Sequence, residues 1–129
     1  MVSAYDELPR TPANFVALSP LRYLERAAYI YPHQDAIIHG HRHISWRETY
    51  QRCRQFASQL QKLGITKNDT VSVLLPNIPA MIEAHFAVPM TGAVLNTLNT
   101  RLDAKTIAFM LEHAETKVLL VDPEFASVA

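Results

Sequence analysis

From Thr70 onward, strand-like and helix-like stretches alternate, and this alternation constrains the fold more than any other feature of the chain. Residues 71–75 form a short apolar run closed by Pro76. Asn77 reads as the cap of a helix over residues 78–88, which Pro89 should kink or end by removing a backbone donor. Glu83 is the one charge in that helix, so the helix expects cover on most sides. Gly92 leads into a second strand at about residues 93–95. Asp103 caps the next helix, with Leu102 and Ile107 spaced as a hydrophobic staple. Residues 117–121 read as a third strand, and Asp122-Pro123 opens a further helix. A β-α-β-α-β order predicts an α/β fold with a parallel sheet and right-handed crossovers.

Upstream, residues 1–18 read as an extended N-terminal arm, and residues 19–129 as a partial α/β domain that stops at its C-terminal side. Ser19-Pro20 starts a short helix with Leu21, Leu24 and Ala28 on one face and Pro32 as its stop. Gly40-His41 is a two-residue loop of type II′, which sets His39 opposite Arg42, Ile38 opposite His43 and Ile37 opposite Ile44. Ser45-Trp46-Arg47-Glu48 is a capping box. It opens a helix whose apolar stripe is Trp46, Tyr50, Cys53, Phe56, Ala57, Leu60 and Leu63, with Gly64 at the C′ position.

Composition then removes several function classes. Gly40, Gly64 and Gly92 are the only glycines, where ordinary usage of ~7% would give about nine. Their wide spacing cannot form a glycine-rich phosphate turn, which argues against direct phosphate cradling. Twelve basic and twelve acidic residues leave no electrostatic footprint for nucleic acid. The single Cys53 excludes an internal disulfide and suits a reducing compartment. The N-terminus lacks the basic start and apolar block of a signal peptide, and no window has the length of a membrane span. A cytoplasmic protein with no transmembrane segment is the expectation.

Candidate chemistry is sparse. His39, His41 and His43 suggest a metal site, yet the hairpin register puts His39 and His43 on opposite faces and His41 in the turn. A solvated hairpin tip is the reading adopted. Cys53 falls within an apolar stripe and reads as a packed thiol. His85 reads as a packed histidine with one hydrogen-bond partner. Glu112, Glu115 and Asp122 suit surface and capping roles rather than acid–base work. Residues 96–102, Asn-Thr-Leu-Asn-Thr-Arg-Leu, lie where parallel sheets present ligand-binding loops, though such a loop can also satisfy its own backbone. No catalytic, cofactor-binding or metal residue is assigned from these patterns.

An ordered series of short segments nevertheless resembles one family. Asn14-Phe15, Leu18-Ser19-Pro20-Leu21, Leu24-Glu25-Arg26-Ala27-Ala28 and Tyr31-Pro32 resemble the opening of AMP-forming acyl-CoA synthetases. Ser45-Trp46-Arg47-Glu48-Thr49-Tyr50, Leu63-Gly64-Ile65 and Asp69-Thr70-Val71 continue the likeness. Leu75-Pro76-Asn77-Ile78-Pro79, His85-Phe86-Ala87-Val88-Pro89 and residues 92–102 are similar to the plant and bacterial acyl-activating branch.

The resemblance implies the N-terminal portion of an adenylate-forming enzyme's large domain, with residues 19–129 as a partial AMP-binding (adenylation) domain. It implies an acid–thiol ligase of fatty acid metabolism that activates a short, medium-chain or aromatic carboxylic acid. ATP and magnesium would serve the adenylation and coenzyme A the acyl transfer. The family's phosphate loop, Tyr-Gly-x-Thr-Glu segment, ribose-binding aspartate and C-terminal lysine have no matching positions here, so the resemblance implies no catalytic residue within these 129 residues. It further implies an inactive fragment that binds no cofactor by itself; unpaired strand groups, an apolar helix lacking cover and zero net charge lead to the expectation that the chain alone self-associates or is only marginally stable. A different expectation is a non-catalytic module that binds a protein partner through an exposed sheet edge.

Overall fold

The computed structural model describes residues 9–129. The part of the expected N-terminal arm at residues 1–8 lies outside the described residues. Residues 9–18 carry neither helix nor strand and are exposed throughout. Within them a side-chain turn forms: Asn14 accepts from the Thr11 N–H at 2.8 Å and donates to the Pro9 carbonyl at 3.1 Å.

Helix α1 (Pro20–Ile30) starts at Ser19, whose hydroxyl accepts from the Leu21 N–H at 3.3 Å. Strands β1 (Asp35–His39) and β2 (Arg42–Ser45) form the expected hairpin in the expected register. Gly40 has φ 60 while His41 is not left-handed, as a II′ turn requires. Ile37 and Ile44 face inward and are buried, whereas Ile38 is exposed.

Helix α2 (Trp46–Lys62) begins at Ser45, which accepts from the Glu48 N–H at 3.2 Å. It ends in a Schellman motif: the Gly64 N–H reaches the Gln61 carbonyl and the Ile65 N–H reaches the Leu60 carbonyl, both at 3.0 Å. Gly64, at φ 88, supplies the left-handed residue. One member of the expected stripe departs from it. Leu63 is the C-cap and is 68% exposed, because the chain leaves the helix there and the stripe no longer continues.

Strands β3 (Thr70–Leu74), β4 (Val94–Thr97) and β5 (Thr116–Val121) form a parallel sheet in the order β4-β3-β5. Helices α3 (Pro79–Met90) and α4 (Ala104–His113) make the crossovers. One crossover runs to each side of β3, so right-handed connections place the two helices on opposite faces. The packing agrees. Val71 and Val73 face α2 and α3, meeting Leu60, Val88 and Ala84. Leu74 faces the other way, against Ile107 and Met110 of α4. Asp103 caps α4, accepting from the Thr106 N–H at 2.8 Å, and Leu102 joins the cluster around Ile107.

Four boundaries differ from those expected. Ile78, not Asn77, is the N-cap of α3 and makes no side-chain cap bond, because Pro79 takes the first helical position and pushes the cap one residue on. Pro89 does not itself end α3, which runs on to Met90. It lies one residue from the helix end, and the carbonyl it leaves without a donor belongs to His85, on the exposed side. β4 runs to Thr97, so Asn96 and Thr97 belong to the sheet and not to a loop. After Asp122 a single 3-10 turn forms over Pro123–Phe125, in place of a further α-helix.

Candidate functional site

In open α/β sheets, ligands meet the carboxyl ends of the strands. Here that edge consists of Pro76–Ile78 after β3, residues 98–103 after β4, and the turn beginning at Asp122 after β5. Main-chain bonds hold the edge tightly to the sheet. The Leu98 N–H donates to the Val73 carbonyl at 2.9 Å, and the Asp122 N–H donates to the Leu74 carbonyl at 3.0 Å.

Within residues 96–102, Asn96 bonds inward, Asn99 bonds its own loop, and Thr97, Asn99 and Arg101 are exposed. Asn96 donates to the Ser72 hydroxyl at 3.0 Å, and Asn99 accepts from the Arg101 N–H at 3.0 Å. Asp122 accepts from the Glu124 N–H, also at 3.0 Å. Ser72 is fully buried and lies 2.6 Å from the Thr116 hydroxyl, so β4, β3 and β5 carry a continuous polar row on the α4 face.

This edge does not fit a nucleotide triphosphate. Asp122 and Glu124 place carboxylates there, with Arg101 as the nearby cation in sequence. None of the glycines contributes to it: Gly40 turns the hairpin, Gly64 ends α2, and Gly92 precedes β4 at the opposite edge. Depressions in the surface lie elsewhere. One is lined by Gln51, Arg54, Gln55 and Lys62 on the outer side of α2, another by Glu25, Tyr29, Arg47 and Arg54 between α1 and α2. Neither gathers reactive groups.

The residues singled out in the sequence are dispersed. His43 Nδ1 lies 2.6 Å from Asp35 Oδ2, a cross-strand contact on the hairpin surface. Among the described residues no three His, Cys, Asp or Glu side chains are placed to share a metal ion. Cys53 is fully buried among Leu24, Ala57 and Ala87. Burial, helped by the nearby Glu83 carboxylate, pushes its thiol up to about 12, far from a reactive thiolate. His85 is exposed, not packed, and its Nδ1 lies 2.8 Å from the Met81 carbonyl one turn back.

Sequence patterns missed two charged contacts. Arg52 on α2 meets Glu83 on α3, with Nε 2.6 Å from Oε1, and Glu83 is nearly buried. Glu83 as the lone charge of an apolar helix was the available signal, but nothing local pointed to Arg52. Lys117 on β5 meets Asp69 before β3 at 2.6 Å, at the amino edge of the sheet. Both contacts join elements, and Arg52 and Glu83 also line a surface depression with Gln55, Phe56 and Gln59.

Residues 24–129 match the family model described as AMP-binding enzyme. An acetate/butyrate–CoA ligase of Arabidopsis thaliana, named peroxisomal, is 52% identical over 96% of this chain and 22% of its own length. An acetate–CoA ligase of Humulus lupulus and a peroxisomal trans-cinnamate:CoA ligase of Petunia hybrida are each 54% identical over the same shares. The chain thus spans about a fifth of the length of these curated relatives. Among solved structures, a fatty acyl CoA synthetase of Mycobacterium tuberculosis superposes with a TM-score of 0.80 at 26% identity, covering 84% of this chain and 22% of that one. The O-succinylbenzoate coenzyme A synthetase of Bacillus subtilis gives 0.75 at 29% identity, covering 80% and 27%.

These relatives overturn the cytoplasmic expectation, since the Arabidopsis acetate/butyrate ligase and the Petunia cinnamate ligase bear peroxisomal names, as do a butyrate– and a benzoate–CoA ligase of Arabidopsis thaliana. The physical reason is that a peroxisomal address is a short receptor-read C-terminal signal, to which cysteine count and a missing signal peptide are blind. Their names range from acetate to cinnamate and benzoate, which gives no support to fatty acid metabolism in particular. No helix among the described residues is long and apolar enough to cross a membrane.

Proposed function

The chain belongs to the AMP-binding enzyme family, and from that premise we propose that it is the N-terminal part of an AMP-forming acid–CoA ligase acting on a short-chain or aromatic carboxylic acid. In such a ligase a carboxylate oxygen attacks the α-phosphorus of ATP, giving an acyl-adenylate and pyrophosphate. The coenzyme A thiol then displaces AMP and forms a thioester. A carboxylate is a poor acylating group, and adenylation gives it a leaving group. Stabilising the charge that moves onto phosphate requires magnesium and basic donors.

In this reading residues 9–129 serve that chemistry as scaffold, and its reacting groups belong to the remainder of the ligase. The acidic carboxyl edge of the sheet and its lack of a glycine-rich cradle support a reading in which ATP, magnesium and coenzyme A are held by other parts of the ligase. The observation that carries the reading is 52–54% identity to named CoA ligases along 96% of the chain. Peroxisomal relatives make the peroxisome the proposed compartment.

Reading the gene past the Ala129 codon tests the proposal. An open frame encoding a Ser/Thr/Gly-rich loop and a terminal domain with a lysine is expected. The protein from that frame should catalyse pyrophosphate exchange into ATP that depends on acetate, butyrate, cinnamate or benzoate. A stop codon after Ala129 in the genomic sequence refutes the ligase reading.

A further inference from the structure

We propose that Ser72 sets the register of the parallel sheet, acting on both neighbouring strands at once through a row of hydrogen bonds to Asn96 and Thr116. Hydrophobic pattern and turn geometry ordinarily decide register. The β1–β2 hairpin is aligned by its turn, whereas β3, β4 and β5 are parallel and joined by helical crossovers, so no tight turn aligns them. Hydrophobic pattern is silent along β5 as well. Residues 118–121 are Val-Leu-Leu-Val, and a one-residue slip exchanges one apolar face for the other.

Polar groups distinguish one alignment from the rest. Among the described residues Ser72 is the one polar side chain buried within a strand. Its hydroxyl accepts from Asn96 Nδ2 at 3.0 Å on the β4 side and lies 2.6 Å from Thr116 Oγ1 on the β5 side. A hydroxyl has one donor and two acceptor positions, so both bonds are held together. In the ladder Thr116 stands opposite Thr70 and Val118 opposite Val71, which leaves Lys117 as an extra residue at a register shift. Two contacts flank that shift, Thr116 to Ser72 and Lys117 Nζ to Asp69 Oδ1 at 2.6 Å. Only the first is stiff. Lys117 is 59% exposed on a flexible four-carbon stem and can follow a displaced strand, whereas the two hydroxyls sit on short side chains. Moving β5 by one residue along β3 leaves the buried Ser72 hydroxyl short of a partner, which is costly inside a protein. Moving β4 breaks the bond to Asn96 with the same consequence.

The alignment carries to the carboxyl edge. Val73 and Leu74 follow Ser72 directly, and their carbonyls accept from Leu98 and Asp122, the first residues past β4 and β5. A strand rises about 3.3 Å per residue, so a one-residue slip displaces the segment after that strand by as much against Pro76–Ile78. A shift of that size misplaces the groups of any site built on this edge. Ser72 is thus a positioning residue. The row lies inside the sheet, and its role depends neither on the ligase reading nor on which surfaces are free.

Strand-by-strand NMR of the isotope-labelled chain separates this role from simple stabilisation. Thr116→Val should release β5 alone and Asn96→Leu β4 alone, while Ser72→Ala should release both. Release reads as interstrand amide–α-proton NOEs from more than one register. It also reads as hydrogen exchange about tenfold faster at the amides of that strand, with the other strand unchanged. Thr116→Ser keeps the hydroxyl and should match the parent chain. Should Ser72→Ala fail to fold, the two flanking substitutions still decide, because each leaves Ser72 one partner. A single native register in Thr116→Val and Asn96→Leu overturns the proposal. So does exchange that quickens equally over β4 and β5 in either variant, which is lost stability without lost register.

Discussion

Arg52 of α2 holds Glu83 of α3 through two hydrogen bonds, Nε to Oε1 at 2.6 Å and Nη2 to Oε2 at 3.2 Å. The Glu83 side chain is 7% exposed and the Arg52 side chain 36%, so the carboxylate is the buried partner and the guanidinium reaches it from the rim. Glu83 in turn holds the Arg52 pKa above the ordinary arginine value, chiefly through the hydrogen bond. The pair locks two helices whose packing also includes Cys53, Ala57 and Phe56 of α2 with Ala87, Phe86 and Met90 of α3.

Arg52→Ala should therefore cost about 3 kcal/mol, the lower end of the scale for stranding a buried charge. Removing both charges in Arg52→Met/Glu83→Met should cost less than Arg52→Ala alone, since no unpaired carboxylate remains. Urea denaturation of the three proteins, compared at constant slope, provides the measurement. A double variant less stable than Arg52→Ala would show that the pair contributes more than it costs to bury.

Local rules made much of this fold legible. The hairpin register follows from Gly40 alone, and Ser45, Gly64 and Asp103 mark helix ends because caps act within one turn. What escaped depends on distance along the chain. Arg52 and Glu83 are 31 residues apart, and Ser72 and Thr116 are 44 apart, so no local period links them. Competition between local signals explains other differences. Asn77 is a good cap residue, but Pro79 sits two residues later and its preference for the first helical position prevails. Asp122-Pro123 has the cap and proline of a helix start, yet the structure continues it for only one 3-10 turn. As for chemistry, the residues alone gave no site, and the family was legible only through an ordered series of segments.

Ser45→Ala should destabilise the chain by roughly 1 kcal/mol, the usual scale for an N-cap oxygen. The hydroxyl accepts from the Glu48 N–H at 3.2 Å, and an alanine leaves that donor to water. Coincident denaturation midpoints for parent and variant would remove Ser45 from the role.

Zinc should find no tight stoichiometric site at the hairpin. His39 pairs with Arg42 and His43 with Ile38, so the two imidazoles leave opposite faces of the ribbon. His43 also engages Asp35. Calorimetry should show weak heats unchanged by His43→Ala; one tight site abolished by that substitution contradicts the register.

The 129-residue chain alone should give no pyrophosphate exchange with any carboxylic acid and no ATP hydrolysis above a heat-inactivated control. Its sheet edge carries Asp122 and Glu124 where a triphosphate would need cations and backbone donors. Carboxylate-dependent exchange by this chain, surviving further purification, would require a site that the described residues do not contain.

Acid should weaken the amino edge of the sheet through Asp69. One carboxylate oxygen lies 2.6 Å from Lys117 Nζ. The other accepts from the Thr66 N–H at 2.7 Å and from the Thr66 hydroxyl at 2.8 Å. Lys117, followed by the two Thr66 donors, lowers the pKa from 3.8 to about 2. A depressed folded-state pKa means that the unfolded chain binds the proton more readily between these values, so stability rises with pH across that window. The contribution is complete above the unfolded value and fades as pH falls from 3.8 toward about 2. Asp69→Asn removes it at every pH. The stability difference between parent and Asp69→Asn should therefore be constant above pH 5, shrink as acid is added, and level off near the folded-state pKa. Asp103, also lowered by its bonds to Thr106, keeps part of the acid sensitivity in both proteins and cancels in the difference. Urea midpoints from pH 2 to 6 measure the gap, and a carboxyl-carbon NMR titration of Asp69 measures the pKa directly. A gap that stays constant from pH 6 to pH 2 would assign the stabilisation to the shape of the Asp69 side chain rather than to its charge.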